Sequence, residues 1–115
     1  MYDKTRKDLI LMIELLEQDE SRWSQFFQKA LSEFDSGEYQ RCAETILSGS
    51  GGMGSLNDLV LGQTTDKNGK FQWKPNHEEI NNQFQELLSS LYEFAQAMRR
   101  AANKARQNRP AGWTR

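Results

Sequence analysis

A chain of 115 residues has room for one domain with a core of its own and is too short for two. Apolar residues make up 37% and charged residues 27%, which predicts a thin core under a large polar surface, and the clustered aromatic residues argue against disorder. The net charge is −1, yet residues 1–95 carry 9 bases and 16 acids, whereas residues 97–115 carry six bases and no acid. An acidic body disfavours nucleic acid as a partner, and the basic end argues the other way.

The N-terminal segment predicts a protein of the cytoplasm. The longest apolar run, Leu9 to Ile13, is far shorter than the roughly 20 residues that span a bilayer. Acids and bases are mixed in residues 1–8 and no small-residue cleavage site follows, so a secretory signal is not expected. Cys42 is the single cysteine, which excludes an internal disulfide. We therefore expect a cytoplasmic location and no membrane association.

Helical periodicity predicts four main helices. The first is apolar over so much of its circumference that we place it at the centre of the fold. Thr5, with Asp8 three residues later, is predicted to cap it, and Asn76 to cap the fourth. The predicted ranges, in chain order, are 3 or 5 to 18, 22 to 36, 38 to 47 and 77 to 109. The predicted fold is an all-α bundle forming one domain, residues 1–109, with a frayed tail at 110–115.

The segment between the third and fourth predicted helices is irregular. It holds a glycine-rich loop (49–54) and a polar stretch (63–70) that contains an Asn-Gly turn dipeptide. One interpretation makes residues 59–61 and 71–73 two short strands joined by that turn. In the other, Ser55 caps a single helical turn that leads into a loose loop. We favour the second, because such short strands do not form a stable hairpin by themselves.

No constellation of residues predicts an enzyme. Gly49 to Ser55 has the spacing of a P-loop, but the lysine is missing and a helix precedes it, which disfavours nucleotide binding. His77 is the only histidine, and a metal site needs at least two more converging ligands. Cys42 lies on the apolar stripe of its helix, which predicts a buried, inert thiol. We expect no catalytic residue, no metal and no cofactor.

The most distinctive string runs from Gly49 to Leu61, GSGGMGSLNDLVL. It resembles a segment, GGMGS-x-ND-[LV]-x-[LI], of a family of small uncharacterised bacterial proteins, which in turn resembles immunity-type proteins encoded beside contact-dependent or polymorphic toxins. The similarity covers about a tenth of the chain. It implies a non-enzymatic protein that neutralises a toxin by direct contact, and no catalytic residue is carried over. The family's signature turn corresponds to Gly51, Gly52, Met53, Gly54, Ser55, Asn57 and Asp58.

The expected partner is a cognate toxin such as a basic nuclease, because opposite charges speed encounter with an acidic body. The predicted contact residues are acids of the second and third helices together with the glycine-rich loop: Glu33, Asp35, Glu38, Glu44, Gly51, Gly52, Met53, Asn57 and Asp58. We interpret the basic end of the fourth helix as solvated surface in preference to a polyanion site. Two alternatives stay open, namely a nucleic-acid-associated regulator using that basic helix and a small phosphate-ligand binder using the glycine loop. A homodimer is also left open.

Overall fold

The computed structural model describes residues 2–49 and 56–107. Most of them belong to four helices: α1 (Asp3–Gln18), α2 (Trp23–Asp35), α3 (Tyr39–Ser48) and α4 (His77–Gln107). α1 and α3 each pack against both α2 and α4, so the four helices form a closed ring around one core. The predicted bundle of four helices is confirmed, with helix starts and ends within a few residues of the predicted ones wherever they are described, but a small two-stranded sheet makes the fold not purely all-α as predicted. The predicted end of the fourth helix and the tail at 110–115 lie outside the described residues.

The core is built from the apolar stripes of all four helices. Its largest fully buried side chains include Leu9, Met12 and Leu16 of α1, Phe27 of α2, Ile46 of α3, and Phe84 and Leu91 of α4. α1 takes one position in the ring and not the predicted central one. Ile10 and Leu11, which widen its apolar stripe, stay half-exposed because α1 is packed by α2 and α4 only along its other face.

The start of α1 differs from the predicted capping pattern. Tyr2 occupies the N-cap position and makes no side-chain cap, while Thr5 lies inside the helix. Asp8 is buried against α4, where its Oδ2 accepts hydrogen bonds from Lys4 Nζ at 2.9 Å and from Ser90 Oγ at 2.6 Å. The carboxylate that suggested a cap therefore ties α1 to α4, because a buried charge needs such partners.

The irregular segment contains a 3₁₀ turn (Leu56–Asp58) and then a hairpin of β1 (Gln63–Thr65) and β2 (Phe71–Trp73). The strands are antiparallel, with Gln63 opposite Trp73 and Thr65 opposite Phe71. The single helical turn of the favoured interpretation is present, but the loose loop after it was wrong, and the first strand begins later than the alternative placed it. The strand begins later because the side chain of Leu61 is fully buried. Residues 59–61 are therefore fixed to the bundle and do not belong to the hairpin.

α4 is much longer than its neighbours and extends past them. Its 31 residues make a rod of about 46 Å in a molecule with a longest dimension of 68 Å. Gln40, near the start of α3, donates a hydrogen bond to the Met98 carbonyl, and no described side chain of α4 is buried after that residue. Among the described residues, no helix combines the length and apolar character that crossing a membrane requires.

Candidate functional site

The hairpin presents aromatic side chains to solvent. Phe71 and Trp73 are two positions apart in β2 and so share a face, together with Gln63 and Thr65 opposite them. We call these four residues the hairpin face. Phe71 is 56% exposed and Trp73 45% exposed, and their rings meet edge to face with centroids 5.0 Å apart. With Val60, they make three of the four large hydrophobic side chains that are exposed in the described part of the chain.

Neither side of the hairpin is buried by the bundle, although one α4 side chain stacks on Trp73. All six strand residues are exposed, including those whose side chains point away from the hairpin face. A two-stranded hairpin with both sides in water is marginally stable on its own. Its conformation must therefore be fixed at its base, and the structure shows two anchors there.

Asn81 of α4 forms the first anchor. Its Oδ1 accepts the Leu61 N–H at 2.8 Å, and its Nδ2 donates to the Leu61 carbonyl at 2.8 Å and to the His77 carbonyl at 2.8 Å. Both backbone polar groups of Leu61 are thus satisfied by one side chain, as the backbone of a buried residue requires.

Asp19, which follows the end of α1, forms the second anchor. Its Oδ1 accepts the Gly62 N–H at 3.0 Å and Lys74 Nζ at 3.1 Å, and the Lys74 N–H donates to the Gly62 carbonyl at 2.8 Å. Gly62 has a φ of +83°, and a Cβ there would lie 2.6 Å from the His77 Cβ. The backbone of the hairpin base is therefore pressed against the first turn of α4, with room only for glycine.

The tip of the hairpin is also preorganised. Asp66 Oδ1 accepts the backbone N–H groups of Asn68 at 2.8 Å and Lys70 at 2.9 Å, and the Asp66 carbonyl accepts the Gly69 N–H at 3.0 Å. The Asp66 carboxylate is therefore used inside the turn, while Lys67 and Lys70 are exposed at the tip. The end of the hairpin is positive and its middle is aromatic.

His77 supports the aromatic surface from below. Its ring stacks on Trp73 with centroids 4.7 Å apart and an interplanar angle of 25°, and its Nδ1 lies 2.9 Å from the Lys74 carbonyl. Within residues 2–49 and 56–107, no group of three or more His, Cys, Asp or Glu side chains could hold a metal ion. The sole histidine thus has a packing role in the structure.

Cys42 lies fully buried on α3. Burial, and to a lesser extent the negative charge of Glu33, together raise the pKa of its thiol from 9.0 to about 12. The thiol is therefore neutral at physiological pH and is a poor nucleophile there. This agrees with the buried, inert thiol that its place on the apolar stripe predicted.

Glu33 and Asp35, two of the predicted contact acids, have partners within the chain. Glu33 Oε1 accepts a hydrogen bond from Thr45 Oγ1 at 2.6 Å, which joins α2 to α3. Asp35 pairs with Arg6 of α1 through Arg6 Nε at 2.8 Å and Nη2 at 3.2 Å, and this hydrogen bonding lowers the pKa of the Asp35 carboxyl. Much of the charge of Asp35 is thus compensated before any partner arrives.

Glu38 and Glu44, the other two predicted acids, are also paired. Glu38 lies 3.3 Å from Arg41 Nη1, one turn away. Glu44 accepts hydrogen bonds from Arg99 Nη2 at 2.5 Å and Nε at 3.2 Å, which lower the pKa of the Glu44 carboxyl. All four predicted acids lie around the α2–α3 turn and the nearby length of α3, and their contact with a partner stays a prediction.

Of the glycine-rich loop (49–54), only Gly49 is described. Gly51, Gly52 and Met53 lie outside the described residues. The Leu56 N–H donates to the Gly49 carbonyl at 2.8 Å, so the chain closes on itself across the loop, and Leu56 is fully buried. Asn57 and Asp58 are exposed in the 3₁₀ turn, where Asn57 Oδ1 accepts a hydrogen bond from the Tyr92 hydroxyl at 2.9 Å.

A basic groove separates α3 from the end of α4, and sequence reasoning did not identify it. The groove is open to solvent, has a volume of about 830 Å³, and is lined by Arg41 and Glu44 of α3 and by Arg99 and Arg106 of α4. Ala102 and Ala105 also line it. We call this feature the arginine groove. Arg99 and Arg106 are seven residues apart, a spacing that places them on one helix face and can be seen in the sequence. That Arg41 lines the same groove can be seen only in the fold.

A protein-family model described as a domain of unknown function (DUF6966) matches residues 16–70, just under half of the chain. The matched part runs from the end of α1 through α2, α3 and β1 to the hairpin turn, and it stops one residue before Phe71. No curated protein and no solved structure matches the chain.

Proposed function

We propose that this chain is a non-enzymatic protein-binding protein that neutralises a bacterial toxin by direct contact through the hairpin face. The observation that carries the protein-binding part is the exposure of Phe71 and Trp73 on a hairpin that is anchored at its base. The toxin as partner comes from the resemblance of the Gly49–Leu61 segment to immunity-type proteins. The proposal includes a cytoplasmic location, where a toxin that enters the cell would be met.

The chemistry of the hairpin face suits a protein partner. Tryptophan and other large aromatic side chains carry much of the binding energy at protein interfaces when a partner pocket desolvates them. Burying the exposed parts of Phe71 and Trp73 contributes on the order of 1 kcal/mol each. Gln63 and Thr65 lie beside them and provide the hydrogen-bonding groups that surround such anchors.

The anchors at the hairpin base favour affinity as well as stability. Binding usually costs the entropy of ordering loops and side chains, and a surface that is already fixed avoids part of that cost. Asp19 and Asn81 hold the hairpin base through backbone groups. The His77 stack fixes the Trp73 ring, which otherwise has two free side-chain torsions.

At the base of the hairpin, the exposed acids and the His77 stack favour protein over nucleic acid. Glu78 and Glu79 follow His77 directly in the first turn of α4 and are exposed, so phosphates approaching Trp73 are repelled. His77 also covers one side of the indole on which a base would stack. A protein surface with an apolar pocket would be complementary to Phe71 and Trp73, and acidic residues beside that pocket would be complementary to Lys67 and Lys70 at the tip.

The proposal is tested by co-expressing the chain with the toxin encoded beside its gene and measuring growth and co-purification. We expect rescue and a stable complex. The Phe71→Ala/Trp73→Ala double variant is expected to weaken the complex by at least about tenfold, the factor that corresponds to 1.4 kcal/mol. Thr64→Ala, on the opposite side of the hairpin, is the matched control and should retain binding. Circular dichroism verifies that every variant is folded.

Failure of the folded wild-type chain to rescue cells from any neighbouring toxin would reject the toxin-neutralising function. Rescue that survives the double variant unchanged would reject the hairpin face as the contact surface.

A further inference from the structure

We propose that the arginine groove is a second binding site, separate from the hairpin face, and that it binds the phosphate backbone of nucleic acid. Arg99 and Arg106 lie on one face of α4, about 10 Å apart along the helix axis. Arg41 reaches the same groove from α3. The small side chains of Ala102 and Ala105 leave the space between these guanidinium groups open.

Two further bases lie on α4 between Arg99 and Arg106 in sequence, with no acid between them. Arg100 and Lys104 are four residues apart on α4 and are exposed, and the sequence holds no acid after Gln96. In the part of the chain that the structure describes, Arg100, Lys104 and Arg106 make no ion pair. Arg106 lies close enough to Glu44 for its charge to lower the pKa of that carboxyl, whereas Arg100 and Lys104 have no ion-pair partner among the described residues.

The acidic body does not cancel this local charge. Glu79 in the first turn of α4 is about 30 Å from Arg99 along the helix. The Debye length at physiological ionic strength is about 8 Å, so charges at the hairpin end are screened from the groove. Although the net charge of the whole chain is −1, a polyanion at the basic end interacts mainly with the positive charges there.

The lining of the groove favours nucleic acid over an acidic protein. Protein interfaces centre on large apolar or aromatic anchors, and none of the described residues that line this groove has such a side chain. Its apolar surface comes from alanines, and its bases come from one face of α4 and from α3. Phosphate contacts need only such donors and positive charge, since they carry no sequence information.

Glu44 lowers the affinity of the arginine groove for phosphate. Its carboxylate accepts two hydrogen bonds from Arg99 and occupies the donors that would meet a phosphate. A phosphate must therefore compete with Glu44 for Arg99. Replacing Glu44 by glutamine keeps its size and removes the competing charge, so binding should become tighter.

The test is fluorescence anisotropy of the full chain with a labelled 20-base-pair DNA duplex and a labelled single strand over a range of salt concentrations. Neutralising about three phosphates gives a slope of about −3 in a plot of log affinity against log salt concentration for the duplex. Arg106→Ala should reduce the magnitude of that slope by about 1 and weaken binding at least about fivefold at low salt. Arg41→Ala should also weaken binding, and Glu44→Gln should strengthen it.

Arg22→Ala is the matched control, because Arg22 is exposed at the opposite end of the bundle, just before α2. It should bind like the wild type, as should the Phe71→Ala/Trp73→Ala variant. Absence of salt-sensitive binding would overturn the proposal, and so would equal losses in Arg22→Ala and Arg106→Ala. Competition by poly-glutamate as effective as that by unlabelled DNA would show that the groove takes acidic polypeptide instead.

Discussion

Asn81 bonds to both backbone groups of Leu61, accepting its N–H at 2.8 Å and donating to its carbonyl at 2.8 Å. These are the two bonds that a neighbouring β-strand would supply, here provided by a side chain of α4. They act where the chain leaves the buried Leu61 and enters the hairpin. The position of Phe71 and Trp73 relative to the bundle therefore depends on the side-chain amide of Asn81, which is twenty residues from Leu61 in the sequence.

Asn81→Ala should lower the free energy of unfolding by about 1–3 kcal/mol, because it leaves the backbone groups of Leu61 without their partners. Urea denaturation followed by circular dichroism measures this change. Asn82→Ala is the control, since Asn82 is the exposed neighbour, and its effect should stay within about 0.5 kcal/mol. Equal effects of the two substitutions would show that the Asn81 anchor is unimportant.

Gly62→Ala should destabilise the protein more than Gly69→Ala. Both glycines have positive φ, +83° and +80°, so each substitution costs about 1–2 kcal/mol of backbone strain. A Cβ at Gly62 would also lie 2.6 Å from the Cβ of His77, whereas nothing lies within 4 Å of one at Gly69. Thermal unfolding of the two variants gives the comparison. A larger loss of Tm for Gly69→Ala would contradict the close packing at the hairpin base.

The Cys42 thiol should resist alkylation in the folded protein. With a pKa of about 12, roughly one folded molecule in a thousand carries the thiolate at pH 9, compared with half of the unfolded molecules. Iodoacetamide should therefore modify the native chain far more slowly than the chain in urea. Equal rates under both conditions would show that the thiol is accessible and ionised.

The same raised pKa makes stability depend on pH. The unfolded thiol loses its proton as pH rises through 9, and the folded thiol keeps it until about pH 12. Over that range the unfolded state binds fewer protons, so the free energy of unfolding falls as pH rises. Cys42→Ala should remove this part of the alkaline loss of stability, which urea denaturation at pH 8 and pH 10 measures.

Helix positions were predictable because their signal is local. In α2, apolar residues recur at helical spacing, and Phe27, Ala30 and Phe34 from that stripe are buried. The hairpin was not predictable from strand length, because its stability comes from Asp19 and Asn81, which are distant in sequence from the residues they hold. The alternation Phe71-Gln72-Trp73 after an Asn-Gly turn was the available signal for an exposed strand.

The candidate site was predicted less well than the fold, and the acids show why. Asp35 pairs with a residue 29 positions away and Glu44 with one 55 positions away. Counting charges along the chain cannot reveal such pairs, and so it overstates how much negative charge a surface offers. Exposed aromatic side chains raise the same difficulty. Periodicity predicts the strand face on which Trp73 lies, but whether that face is core or surface depends on the packing around it.

Hydrogen–deuterium exchange of the chain, alone and bound to the toxin encoded beside its gene, tests recognition through the hairpin face most directly. Binding there predicts new protection of residues 62–74. Protection confined to the α2–α3 turn and α3, with residues 62–74 exchanging as in the free chain, would contradict it and support Glu33, Asp35, Glu38 and Glu44 as the contact residues instead.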